Sequence, residues 1–209
     1  MDWDWSEAVA FDACVQALEL NAIRPVRAPH LIRLGTNGVF EVEIDTGVIV
    51  ARVSPSDYDP PLIDEQIALA SWLHANGFAT SRPLKSEATW CNGRAVTFWE
   101  FIGEAHPVAI PMRLLGGTAA EFLRLTDRYS GPLPVWDPLG RLGDRLESVP
   151  CDESFSESDR ALLKYWRDIL TASVADMRFE QRIGPLHGDI HTGNSIMSND
   201  QLYLIDFDR

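Results

Sequence analysis

The residues best able to do chemistry lie near the carboxyl end of the 209-residue chain, in HGDIHTGN at 187–194 and IDFD at 205–208. Between them, SIMS and QLYLIDF flank Asn199-Asp200, a pair that turns two short strands into a hairpin. One loop and one hairpin therefore supply His187, Asp189, Asn194 and Asp206. Phosphoryl transfer asks for such a set: an aspartate beside an acceptor hydroxyl, and an asparagine and a second aspartate that hold magnesium on nucleotide phosphates. A second chemistry is also open. If GDIH were a strand, His187, Asp189 and His191 would share one face and could serve a metal-dependent phosphoesterase. A dinuclear site of that kind needs further ligand clusters, and after His191 only Asn194, Asp200, Asp206 and Asp208 remain.

Something must position these groups, and the periodicity upstream says what. Three strand-like runs, HLIRL, VFEVEI and VIVARV, are broken by GTNG and DTG, turn chemistries with glycine available for positive φ. They predict an antiparallel meander. Its first turn carries Gly35, Thr36, Asn37 and Gly38 between two strands, so it is not a Walker loop, and no G-x-x-x-x-G-K-[ST] occurs. By itself such a turn is a hairpin with glycines for backbone geometry. Helices are predicted at 5–20, with Ala8, Phe11, Val15 and Leu18 on one face and an Asp4/Glu7 cap, and over LIDEQIALASWLHA up to Asn76-Gly77. A second hairpin joins ATW to RAVTFWEFI through Cys91-Asn92-Gly93.

From about residue 103 the pattern becomes helical, after a connection punctuated by Gly103, Pro107 and Pro111. Helices are expected at 112–128 and at 157–179, the latter capped by Ser156 with Asp159 and carrying Leu162, Trp166, Ile169 and Met177 inward. A proline- and glycine-rich loop is expected between them. The fold class is α+β, divided at 1–102 and 103–209.

The spacing of His187, Asp189 and Asn194 equals that of the kinase catalytic loop, H-R-D-x-x-x-x-N, and Asp206 stands where D-F-G has its aspartate. HGDIHTGN and LIDFD make the chain resemble the aminoglycoside phosphotransferase and choline kinase-like family. The likeness runs from the glycine loop to Asp206. It implies a two-lobed protein kinase-like fold, with a nucleotide-binding small lobe at 1–102, a catalytic large lobe at 103–209, MgATP or MgGTP as donor, and a small-molecule hydroxyl as acceptor. It further implies that Asp189 is the catalytic aspartate, that Asn194 and Asp206 are metal ligands, and that His187 supports the loop. The glycine turn, residues 35–38, would cover the phosphates, and Glu100 and Phe101 beside Trp99 would meet the purine where the chain crosses between lobes. A buried edge strand would look the same at Trp99–Phe101.

Two departures accompany the resemblance. Kinases place a lysine on the third strand that pairs with a helix glutamate, but the lysines here are Lys85 and Lys164, and Arg52 stands in that place. An arginine keeps the charge and offers a planar fork. Glu65 is its expected partner, with Asp64 as the fallback; otherwise Arg52 and Glu65 are plain surface charges. The chain also stops at Arg209, three residues after Asp206, whereas helices that build the acceptor site follow in the family. The large lobe is therefore expected to be incomplete, and a nucleotide-binding module without turnover is a competing reading.

A formal charge of −13 argues against nucleic acid as a partner. Cys14, Cys91 and Cys151 form no CxxC pair and suit a reducing cytoplasm, while the acidic start and the absence of a long apolar run predict a soluble protein that neither crosses nor anchors in a membrane. Trp3, Trp5 and Trp72 read as packing aromatics, and His30, His74 and His106 have no companion ligands. The acceptor stays open among an aminoglycoside, another antibiotic, a sugar and an amino alcohol.

Overall fold

A computed structural model describes residues 4–56, 60–103, 110–133, 137–152, 154–178 and 185–207. Trp3, His106, Pro107, Asp208 and Arg209 lie outside the described residues.

Alternation makes the sheet. Phe40 and Val42 of β2 (Gly38–Ile44) and Ile49, Ala51 and Val53 of β3 (Gly47–Val53) are buried while their neighbours are partly exposed. Their register is unbroken from Gly38 opposite Val53 to Ile44 opposite Gly47. With β1 (His30–Leu34), β4 (Thr89–Cys91) and β5 (Arg94–Glu100), they form an antiparallel sheet in the order β1-β2-β3-β5-β4. Two tight turns act at once: Gly47 takes the positive φ of the β2–β3 turn, as Asn92 and Gly93 do between β4 and β5.

Helix α1 (Glu7–Leu20) packs on the buried face of the sheet through Ala10, Ala13, Cys14, Ala17 and Leu18. This corrects the face expected from Ala8, Phe11, Val15 and Leu18. Small residues at i, i+3, i+4 and i+7 let the helix lie close to the strands, so Ala8 stays in solvent while Phe11 touches the Phe40 ring edge-on at 6.2 Å. The cap differs as well: Ser6, extended and next to the first turn, accepts from Val9 N–H in place of the Asp4/Glu7 pair.

A second core joins Leu69 and Leu73 of α2 (Pro60–Ala75), Phe78, Phe122 of α3 (Met112–Thr126) and Leu204 of β7 (Gln201–Leu204). Strand β7 pairs with β6 (Ser195–Ser198) through a turn whose Asn199 and Asp200 both have positive φ.

The described chain divides into two compact units, 2–134 with 184–209, and 135–183. The second holds α4 (Pro138–Ser148) and α5 (Glu157–Ala175). Helix α4 occupies the expected loop. Asp137 accepts from Gly140 N–H at 2.8 Å and Pro138 sits in the first turn, so residues that read as loop punctuation are a helix start. On α5 the Ser156/Asp159 capping box forms, but no residue of the helix is buried. Leu162, Trp166, Ile169 and Met177 are exposed because α4 lies along the polar stripe, where Lys164 pairs with Glu147 and Arg167 closes on Gly143. Among the described residues, no helix is long and apolar enough to cross a membrane.

Cys14 and Cys91 share the first core, and burial with Cys91 nearby pushes the Cys14 thiol up to about 12. Cys151 is only half-buried. At neutral pH a maleimide should label Cys151 first, and Cys14 and Cys91 only after unfolding, read by peptide mass; rapid native labelling of Cys14 would contradict this packing.

Candidate active site

The β6–β7 ladder sets the geometry of the site. Its last pair is Ser195 opposite Leu204, and one further bond, Ile205 N–H to the Asn194 carbonyl at 3.0 Å, places Asp206 next to Asn194. Asp206 then takes φ 73°, a left-handed conformation that costs a non-glycine residue about 1–2 kcal/mol. Its carboxylate meets β3, where Arg52 Nη2 lies 3.0 Å from Asp206 Oδ1.

Upstream, His187 is 2% exposed and boxed by the rings of Phe122 and Phe207 at 5.9 and 4.9 Å. Its Nε2 lies 3.0 Å from the Ile205 carbonyl, and its Nδ1 accepts from Asp189 N–H at 3.4 Å. A neutral ring protonated on Nε2 satisfies both bonds. Asn194, buried at the end of a short 3₁₀ turn (Thr192–Asn194), donates Nδ2 to the Asp189 carbonyl at 3.0 Å and to its Oδ2 at 3.2 Å. His191 caps that turn through Gly193 N–H, with Nε2 3.6 Å from Asp189 Oδ2. The segment is therefore loop and turn. The strand that would put His187, Asp189 and His191 on one face is not formed, because His187 points into the aromatic core. Among the described residues no three His, Cys, Asp or Glu side chains converge as metal ligands.

Asn194 and Asp206 line a cleft of about 520 Å³ together with Arg52, Asn37, Val39, Val50 and the end of β5. In the glycine turn, Asn37 is the residue that reaches the cleft. Its buried amide oxygen accepts from Arg52 Nη2 at 2.6 Å and Nε at 3.2 Å. Gly35 and Thr36 are exposed at the tip, and the Gly35 carbonyl accepts from Trp5 Nε1 at 2.9 Å. Neither Gly35 nor Gly38 has positive φ, contrary to the turn chemistry expected of GTNG. Gly38 answers to space, since a Cβ there would lie 2.9 Å from the Cβ of Ala10 on α1.

Glu100 and Phe101 border the cleft, and β5 is an interior strand, not an edge. Glu100 N–H donates to the Arg82 carbonyl, its own carbonyl accepts from Ser81 Oγ at 2.7 Å, and its carboxylate pairs with Arg82. Ser198 of β6 donates to the Ile102 carbonyl at 3.0 Å, tying this crossing to the hairpin.

On α2, neither Asp64, which is exposed, nor half-buried Glu65 lines the cleft; burial first and the Glu65 charge second push the Tyr129 phenol up. The α2 side chain beside Arg52 is Gln66. It is 7% exposed, and its Nε2 has no hydrogen-bond partner, a deficit of about 1–3 kcal/mol. Sequence reading passed over Gln66, although a polar residue in phase with Ile63, Ile67 and Ala70 is a visible signal. Trp5 had no such signal, because its acceptor lies 30 residues away.

The chain belongs to the phosphotransferase enzyme family, whose model matches residues 31–209. A search of curated proteins found no match. Solved structures share the fold at low identity. A microcompartment-associated aminopropanol kinase is 20% identical with a TM-score of 0.67, covering 93% of this chain and 68% of the other. An aminoglycoside-3'-phosphotransferase of type VIII is 16% identical with a TM-score of 0.65, covering 95% and 77%. Spectinomycin phosphotransferase in complex with ADP and spectinomycin is 15% identical with a TM-score of 0.56, covering 93% and 68%. The fold is protein kinase-like, and membership of the family makes the chain a phosphotransferase of the small-molecule kinase class.

Truncating His187 to alanine leaves the Ile205 carbonyl and the Asp189 N–H without their partner and opens a void between two phenyl rings. His187→Ala should lose about 2–4 kcal/mol in urea unfolding, and a loss near zero would show that the ring is no anchor.

Proposed function

We propose that this chain transfers the γ-phosphate of ATP or GTP to a hydroxyl of a small molecule, with Asp189 as the group that orients the hydroxyl and takes its proton. The observation that carries the reading is that one hairpin ladder and one ion pair bring Asn194, Asp206 and Arg52 to one cleft, with the Asp189 carboxylate held against Asn194. Residues 1–102 would hold the nucleotide, with Asn37 and Arg52 at its phosphates, Gly35, Thr36 and Gly38 covering them, and Glu100 and Phe101 near the base. Residues 103–209 would supply the catalytic groups, with His187 holding the loop. Arg52 is paired with Asp206 in place of Glu65, which does not line the cleft.

The donor set fits Mg²⁺. An asparagine oxygen and a carboxylate are hard ligands, and magnesium takes one or two carboxylates together with phosphates and water, so a fuller protein cage is not required. When bound at Asn194 and Asp206, the ion supplies neutralisation of phosphate charge. The protein's own residues do the rest: Asn194 Nδ2 steadies the Asp189 carboxylate, and Arg52 keeps the Asp206 carboxylate in the cleft.

Two of the solved neighbours are named as an aminopropanol kinase and an aminoglycoside phosphotransferase, and a chain of charge −13 suits a cationic acceptor, so we favour a hydroxyl on an amine-bearing molecule over a plain sugar. Three cysteines outside any CxxC pair support a reducing, cytoplasmic location, and a charge of −13 argues against nucleic acid as a partner.

Asp189→Asn should lower turnover about 10²–10⁴-fold while preserving the thermal shift given by MgATP or MgGTP. Asp206→Ala should abolish that shift. Full activity in Asp189→Asn would remove it from the catalytic role, and phosphate release from a generic ester without nucleotide would favour a phosphoesterase instead.

A further inference from the structure

We propose that Gln66 is a phosphate-binding residue, its side-chain N–H donating to the phosphate chain of the nucleotide beside Arg52. The inference rests on the nucleotide reading above and adds a residue to it. Gln66 projects from α2 into the wall of the cleft, more than nine-tenths buried, with Nε2 lacking any acceptor. Buried donors in folded proteins are almost always satisfied, so one left over in a cavity wall calls for an acceptor that arrives with a ligand or a water.

The surroundings favour the ligand. Around Gln66 lie Arg52, Asn37, Thr97 and Trp99, and the Trp99 indole already donates to Thr97 Oγ1 at 2.7 Å. Among the described residues, no carboxylate lines the space around Gln66; of those in the wider cleft, Asp206 is held by Arg52, Glu41 by Arg27 and Glu100 by Arg82, and the acids of α2, Asp64 and Glu65, do not line it. Arg52 and Gln66 thus place N–H donors side by side on the wall, an arrangement that suits an acceptor-rich anion. A carboxylate at position 66 would add a second negative charge beside the Arg52–Asp206 pair; an amide adds none and supplies a further donor. Thr80 Oγ1 is also buried without a partner in the same cleft, but a hydroxyl both donates and accepts and says less about ligand charge. The space between Gln66 and Arg52 is only about 10 Å³, enough for a single water, which is the rival occupant.

Two substitutions of nearly equal size separate these outcomes: Gln66→Met, with no polar group, and Gln66→Glu, with acceptors only. Calorimetry would measure MgADP against adenosine, and MgGDP against guanosine, for the wild type and both variants, with thermal midpoints of the unliganded proteins. Both variants should bind the diphosphate about tenfold to hundredfold more weakly than the wild type, with nucleoside affinity unchanged. Unliganded Gln66→Met should keep or raise its midpoint, because the amide it removes has no partner. Equal diphosphate affinity in Gln66→Met, with a lowered midpoint, would mean a structural water and overturn the proposal. So would parallel loss of nucleoside binding, which marks a change of cleft shape, or wild-type affinity in Gln66→Glu, which marks a residue that acts by positioning Arg52. A wild type that binds none of the four probes overturns the nucleotide reading itself, a result distinct from the variant outcomes.

Discussion

The ion pair between Arg52 and Asp206 joins the two parts of the site that are farthest apart along the chain. Arg52 belongs to a strand of the five-stranded sheet and Asp206 follows the last hairpin, and both side chains are largely withdrawn from water. Desolvation offsets much of the attraction in such a pair, so its main effect is to set position rather than to add stability. Breaking it by removing one partner is another matter, because the remaining charge would be left in the cleft wall. The planar fork of Arg52 also reaches Asn37, so one guanidinium links the glycine turn, the sheet and the hairpin carboxylate. A lysine ammonium has no such planar fork.

Opposite that charge lies an apolar anchor. His187 is clasped by Phe122 and Phe207 and bonded to the backbone on both sides, so the loop carrying Asp189 and Asn194 is held by the second core. A loop placed on a packed core keeps its functional groups within narrow limits, which transfer chemistry requires. The hairpin turn at Asn199-Asp200 contributes from a distance, because its register decides which residue follows Asn194 across the ladder. A slip of one residue would move Asp206 out of place.

The pairing of Arg52 with Asp206, and the presence of an amide where α2 meets Arg52, give this family member a differently charged cleft. In the usual kinase arrangement a lysine faces a helix glutamate. Here the helix acid, Glu65, does not line the cleft, and the cation is balanced from the hairpin.

Much of this was legible in the residues themselves. The alternation in GVFEVEI and GVIVARV, the Asn-Gly and Asn-Asp turns, and the His-x-Asp-x₄-Asn spacing are local signals, and they located the meander, both hairpins and the loop. The Ser156/Asp159 cap was legible for the same reason, since a cap involves residues three apart. Misreadings occurred where local pattern is shared by two outcomes. The prolines and glycines at 131–143 suit a loop or a helix start, and the apolar stripe of α5 suits burial only if something covers it.

Local order, then, was determined by sequence alone, because propensities, caps and turn chemistry act over three or four residues. Which side chain meets which across the cleft was decided only by tertiary structure. Arg52 with Asp206, Gln66 beside Arg52 and Trp5 on Gly35 each join residues separated by 14 to 154 positions, and the phase of Ile63, Ile67 and Ala70 puts Gln66 rather than Glu65 on the inward face without saying what it meets. The rotation of α2 against the sheet settles that, through the burial of Ile63, Ile67 and Ala70 on the same face.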